Sequence, residues 1–143
     1  MSLYLDASVL VALLTHDLLT SRAETLLRDH PQPLIVSDFA AAEFASALGR
    51  RVRSRELTAD EARSAVATLD LWAARASQRV ETTPRDVAVA SAFLRRFDLT
   101  LRTPDALNIA IAERCGAALA TFDVKMAAAA RGLNLAAPGP VGA

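Results

Sequence analysis

The chain has one cysteine, Cys115, and a single cysteine cannot close an internal disulfide. Nothing in the sequence therefore calls for an oxidising compartment. Cys115 stands in "IAERCGAAL", at the apolar end of a helical pattern, and reads as a small core residue rather than a reactive thiol. An excess of either charge is missing as well. Sixteen basic and 16 acidic residues give no overall basic field to draw in a polyanion, so phosphate must be met by a local patch or through a metal. Aromatic residues make up 5% of the chain, too few to read a base-stacking platform. No apolar run approaches the ~20 residues that span a bilayer. The start, "MSLYLDASVL", carries no basic leader or small-residue cleavage site, so the expectation is a cytoplasmic protein without a membrane anchor. What is present is material for a core: 143 residues, 52% hydrophobic, the size of one domain.

Short apolar runs alternate with helical patterns along the whole chain. "LYL" (3–5), "LIV" (34–36), "RVET" (79–82), "ALAT" (118–121) and "LNLA" (133–136) read as strands. Ser21 with Glu24 and Thr58 with Glu61 have the spacing of capping boxes. Thr83-Pro84 and Thr103-Pro104 repeat a cap-then-proline helix start. Gly116 and Gly132 fall where helices end. Strand, helix and strand in this order predict an α/β fold with a central parallel sheet of about five strands and helices on both faces. Residues 39–77 carry two successive helices, expected as an α-hairpin projecting from the sheet. One domain over 1–137 and a short mobile tail, 138–143, complete the expectation, with no internal repeat and no linker.

Four carboxylates stand out. Asp6 follows the first strand, and in a parallel α/β sheet the turn after a strand's carboxyl end is where ligands bind. Ser8 beside it is expected to cap the next helix. Asp123 holds the equivalent place after a later strand, with Thr121 two residues before it. Asp105 lies in the first turn of a helix capped by Thr103, where the macrodipole stabilises a carboxylate by up to about 1 kcal/mol. Each of these three also has an ordinary explanation as a cap or turn residue. Glu43 has a weaker one. In "SDFAAAEFASALGRR" its same-face neighbours are Phe39, Ala40, Ser46 and Ala47, none of them basic. A carboxylate drawn out of water among alanines costs several kcal/mol unless it is neutralised, paired or bound to a cation.

Carboxylates converging on one mouth repel, so some must hold a proton or the group must hold a cation. An all-oxygen set without histidine or thiolate points to Mg²⁺ or Mn²⁺ rather than zinc. Such a centre suits hydrolysis of phosphodiesters. His16 and His30 lie at loop-like junctions and need no catalytic role, and Asp38 reads as the cap of the Glu43 helix.

At this point "LYLDASVLVALL", "AAAEFASAL", "LRTPDALNIAIA" and "LATFDVKMAAAA" resemble the motifs of PIN-domain ribonucleases, including the VapC-type toxins among them. The resemblance runs from the first strand to about residue 136. It implies a PIN-like three-layer α/β/α fold and Mg²⁺- or Mn²⁺-dependent cleavage of RNA. It also implies a VapB-type antitoxin that neutralises the toxin. The family roles fall on Asp6, Glu43, Asp105 and Asp123 as the acidic metal site, with Ser8 and Thr121 as accessory polar residues. Many relatives have histidine where Asn108 stands, one turn after Asp105. Asn108 can hydrogen-bond but cannot become cationic, which puts any phosphate contact by that side chain in doubt.

Arg102, next to the Asp105 helix, is the best candidate for touching a bound strand. Arg50, Arg51, Arg53 and Arg55 either complement the negative end of the Glu43 helix or form a rim for phosphates. Alanine-rich helices with Phe39 and Phe44 suggest a surface for a homodimer or an antitoxin, and Trp72 reads as a core or dimer contact. Two other readings share much of this pattern: a catalytically silent PIN-like binding module, and a phosphorelay receiver with Lys125 as its phosphate partner.

Overall fold

Leu3, Tyr4 and Leu5 are fully buried and alternate across a central strand, Leu3 and Leu5 to one face and Tyr4 to the other. This is β1 (Ser2–Leu5) in a computed structural model that describes residues 1–138. The expected tail, 138–143, lies outside the described residues from residue 139 onward. The other strands are β2 (Leu34–Ser37), β3 (Ser77–Val80) and β4 (Ala117–Ala120), in the order β3-β2-β1-β4 with every pair parallel. Parallel neighbours require crossovers, and helices supply them. They are α1 (Ala7–Leu14), α2 (Thr20–Asp29), α3 (Asp38–Arg53), α4 (Ala59–Ala76), α5 (Pro84–Leu94), α6 (Thr103–Arg114) and α7 (Val124–Gly132).

Two cores follow from the strand alternation. Leu3, Leu5, Val36, Ala118 and Ala120 pack with α1 to α4, whereas Tyr4, Ile35, Ala117 and Leu119 pack under α6 and α7. The α/β/α layering is therefore as expected, but among the described residues the sheet has four strands, not five. "LNLA" does not join it as a strand. Asn134 has φ 64°, and the segment gives β4 one bond, Leu119 N–H to Ala136 O at 2.8 Å.

The α3–α4 hairpin does not project freely. Phe44, Leu48, Leu69 and Ala73 are buried in the first core against α1, so Phe44 is no exposed docking residue, and Phe39 is half-buried against the second core. Trp72 packs partly buried on the first core, as expected of a core residue. Several helix starts also differ from expectation. The cap of α2 is not Ser21, because the helix begins at Thr20 and the N-cap Leu19 makes no side-chain bond. Ser37, not Asp38, caps α3 through Ala40 N–H, which frees Asp38 to accept from Thr82. Thr58 and Thr83 cap as expected, each in a reciprocal box. Gly116 ends α6 with φ +63°, a left-handed turn that favours glycine. Gly132 has a different reason: a Cβ there would stand 3.1 Å from Leu99 Cδ2.

Candidate metal centre

The carboxyl ends of β1 and β4 are adjacent, and each strand runs into a helix through an aspartate. Asp6 caps α1 by accepting from Val9 N–H at 3.1 Å, so the cap is Asp6 and not Ser8. Ser8 instead donates to Asp6 Oδ1 at 2.6 Å and accepts from Phe122 N–H. Thr121 donates to Asp6 Oδ2 and accepts from Asp123 N–H, while Asp123 caps α7 through Met126 N–H. These bonds stitch the first and last strand ends into one mouth. Both hydroxyls foreseen as accessory serve Asp6 directly.

Asp105 arrives from the other side. The α6 helix begins at Thr103 with Arg102 in the cap position, and Asp105 Oδ2 accepts from Arg102 N–H at 3.0 Å. Thr103 is thus the first helical residue, not the cap. Glu43 comes from the middle of α3 and is half-buried. Its Oε1 accepts from Asn108 Nδ2 at 2.7 Å, one turn along α6 from Asp105. Asn108 therefore takes up the glutamate itself rather than lying free for a substrate.

All four carboxylates line one cavity of about 390 Å³. Arg50, Arg51 and Arg102 share its wall, and so does Asp17, which the sequence did not single out. Arg51 is spent on Asp17 at 2.6 Å; Arg102 keeps its side chain 77% exposed, its Nε 3.5 Å from Asp105. Behind the cavity lies a second unforeseen feature. Tyr4 OH donates to Asn108 Oδ1 at 2.6 Å and lies 2.6 Å from Ser37 Oγ. A buried tyrosine must find a partner for its hydroxyl, and that rule was the available signal.

Electrostatics show what the site lacks. Burial pushes the Asp6 carboxyl up to about 6 against its hydrogen bonds from Ser8, Thr121 and Val9 N–H, and the Glu43 charge pushes the same way. Burial also raises Glu43, with Asp105 adding to the rise, while Asn108, Arg102 and Arg50 oppose it. Asp6 and Glu43 are thus buried without enough positive charge to offset it. Among the described residues, no three His, Cys, Asp or Glu side chains are gathered closely enough to hold an ion as they stand. Each of the four is tied back by a donor of its own. The donor set nevertheless fits a hard divalent cation: it is all oxygen, and Mg²⁺ needs few protein carboxylates because it keeps several waters. Asp6, Glu43, Asp105 and Asp123 are the residues that would hold it.

A PIN domain family model matches residues 3–132, and the chain belongs to that family. Solved structures agree on the fold. VapC20 of Mycobacterium tuberculosis, a sarcin-ricin loop cleaving toxin, is 23% identical with a TM-score of 0.72, covering 89% of this chain and 94% of its own. VapBC2 from Rickettsia felis, solved on a DNA fragment from its promoter, is 17% identical with a TM-score of 0.69, covering 96% and 98%. FitAcB from Neisseria gonorrhoeae is 15% identical with a TM-score of 0.68, covering 96% and 97%. A comparison with curated protein sequences finds no match. Membership in the PIN family sets the receiver reading aside. No helix of the described residues is long and apolar enough to cross a membrane.

Proposed function

We propose that this chain is a metal-dependent endoribonuclease, the toxin of a toxin–antitoxin pair, acting at Asp6, Glu43, Asp105 and Asp123. The observation that carries the reading is the meeting of these four carboxylates, from four helix starts or faces, on one cavity. A divalent ion there, Mg²⁺ or Mn²⁺, supplies Lewis-acid polarisation of a phosphodiester and charge stabilisation at the leaving oxygen. The protein's own groups do the rest. Ser8 and Thr121 orient Asp6, Asn108 orients Glu43, and Arg50 and Arg102 face the polyanion at the rim. The likeness to VapC20 and to the VapBC2 and FitAcB structures supports RNA as the substrate and a VapB-type antitoxin as the partner.

An antitoxin arginine placed among the carboxylates suits the same charge deficit, and a homodimer is the assembly we expect. Incubation with structured RNA in Mg²⁺, Mn²⁺ or EDTA tests the reading. Cutting is expected only with metal and is expected to vanish in Asp6→Asn. RNA left intact by the wild-type protein in both metals overturns it in favour of a silent binding module.

A further inference from the structure

A second cavity, of about 370 Å³, opens beside the acidic one and shares Arg102, Asp105 and Asp123 with it. Its remaining wall is Thr100 and Leu101, from the loop between α5 and α6, and Lys125, in the first turn of α7. Lys125 is the only lysine among the chain's 16 basic residues. It is exposed and forms no ion pair among the described residues. Arg102 is mostly exposed too. Lys125 and Arg102 thus place two cations on one side of the carboxylate centre, Arg102 with only a long 3.5 Å pairing to Asp105. Arg51, on the wall of the acidic cavity with Arg50, is instead held by Asp17 at 2.6 Å.

We infer that this outer cavity binds a backbone phosphate of single-stranded RNA flanking the scissile bond, with Lys125 and Arg102 as its donors. The inference rests on the nuclease reading above. The residue type matters. An arginine at position 125 could lock bidentately onto Asp105 or Asp123 and withdraw a carboxylate from the centre. The lysine ammonium is a point charge with rotatable donors on a flexible stem, and it can follow phosphate oxygens without that fork geometry. Thr100 adds a hydroxyl donor to the lining. Leu101 adds an apolar side chain to the lining, a surface that suits a sugar better than a fully hydrated ion.

The single lysine makes the test direct. Acetylation of Lys125 by an amine-directed reagent is followed by mass spectrometry on the Asp6→Asn protein in excess Mg²⁺, with and without a 2′-O-methyl oligoribonucleotide. Protection of at least fivefold by the oligonucleotide, and none by polyglutamate, is the expected result. In the wild-type background, Lys125→Gln is expected to raise KM for a long single-stranded RNA about tenfold with kcat nearly unchanged, and to lower the salt slope of binding by about 0.7. A dinucleotide with one phosphodiester should not register the change. Lys125→Arg is expected to lower kcat below that of Lys125→Gln, because its guanidinium draws Asp105 or Asp123 away from the centre. Equal acetylation with and without RNA, or equal protection by polyglutamate, overturns the inference. If RNA is still cut in those cases, the nuclease reading stands without it; if the wild-type protein neither cuts nor binds RNA, both fall.

Discussion

The phenol of Tyr4 donates to Asn108 Oδ1 at 2.6 Å, and this bond decides which way the Asn108 amide faces. With Oδ1 engaged as acceptor, Nδ2 is left to donate to Glu43 Oε1 at 2.7 Å and to Pro104 O at 3.0 Å. The chain continues backward, since Ser37 Oγ lies 2.6 Å from the phenol and itself accepts from Ala40 N–H. A β1 residue and the cap of α3 thereby orient, through Asn108 of α6, a carboxylate in the middle of α3.

Tyr4→Phe removes the hydroxyl and leaves the amide free to turn. Outer-shell partners of this kind are worth about 10–100-fold in metal affinity. We expect Mn²⁺ affinity, measured by calorimetric titration, to fall at least tenfold. Stability should drop by about 1–3 kcal/mol, because buried groups lose a partner. Unaltered Mn²⁺ affinity in a folded Tyr4→Phe protein would show that the network is structural only.

Asp6 gives a pH signature in metal-free protein. Its carboxyl titrates at about 6 when folded, against an ordinary 3.8, so the folded state keeps the proton longer than the unfolded chain. Stability therefore falls as pH rises through that window and levels off above it, by up to about 3 kcal/mol. Urea denaturation of wild type and Asp6→Asn in EDTA at several pH values isolates the contribution. The variant should gain on wild type between pH 4 and pH 6 and hold its lead at pH 7. Saturating Mg²⁺, at a hundred times its Kd, should return about 2.7 kcal/mol to wild type and less to the variant. A constant difference across pH removes Asp6 from this role.

Far from the cavity, Asp86 and Arg114 clamp α5 to the end of α6. Arg114 Nε reaches Asp86 Oδ1 at 2.8 Å and Nη2 reaches the Glu81 carbonyl at 2.8 Å. Burial of Asp86 works to raise its pKa, but Arg114 and the Thr83 bonds outweigh it and hold the carboxyl below its ordinary value. The stabilisation is complete above the unfolded carboxylate's pKa and is lost as pH falls through the folded one. Asp86→Ala should cost about 2 kcal/mol, less than the roughly 3–5 kcal/mol of a fully buried pair because Arg114 is 35% exposed. In a chain of this size that is a fall in Tm of roughly 4–8 °C by calorimetry. Metal affinity should not change.

The two helix-end glycines should respond differently to alanine. Gly116 has φ +63° and open space around it, so Gly116→Ala meets only backbone strain, about 1–2 kcal/mol of destabilisation. At Gly132 the backbone is ordinary and the obstacle is the tip of Leu99, 3.1 Å away. Alanine's helical preference, up to about 1 kcal/mol, offsets that small shift. Thermal melts should show a clear loss for the first variant and nearly none for the second.

The sequence exposed the parts of this protein that depend on residue type at a fixed local spacing. Strand alternation, the Thr58 box, the Thr83 cap and the aspartates after β1 and β4 all have short-range causes, and they stand where they were expected. Glu43 was legible because a carboxylate among alanines is costly anywhere. What stayed hidden depended on partners distant in the chain. Asp6 rather than Ser8 caps α1 because Ser8 is drawn to Phe122 N–H, 114 residues away. Asp38 yields its cap to Ser37 because Thr82 claims it. Phe44 looked exposed on a small-residue helix, but α1 and α4 close over it. "LNLA" had strand composition, but the left-handed turn at Asn134 leaves it one bond to β4.

The bond from Thr121 to Asp6 has a consequence for how the protein comes into being. Its two partners are 115 residues apart in the chain, and β1 has one flank bare until residues 117–120 are made and pair with it. A chain still emerging from the ribosome thus carries Asp6 and Glu43 but no closed mouth around them. Only the pairing of β4 with β1 brings Thr121 and Asp123 to the strand end that carries Asp6.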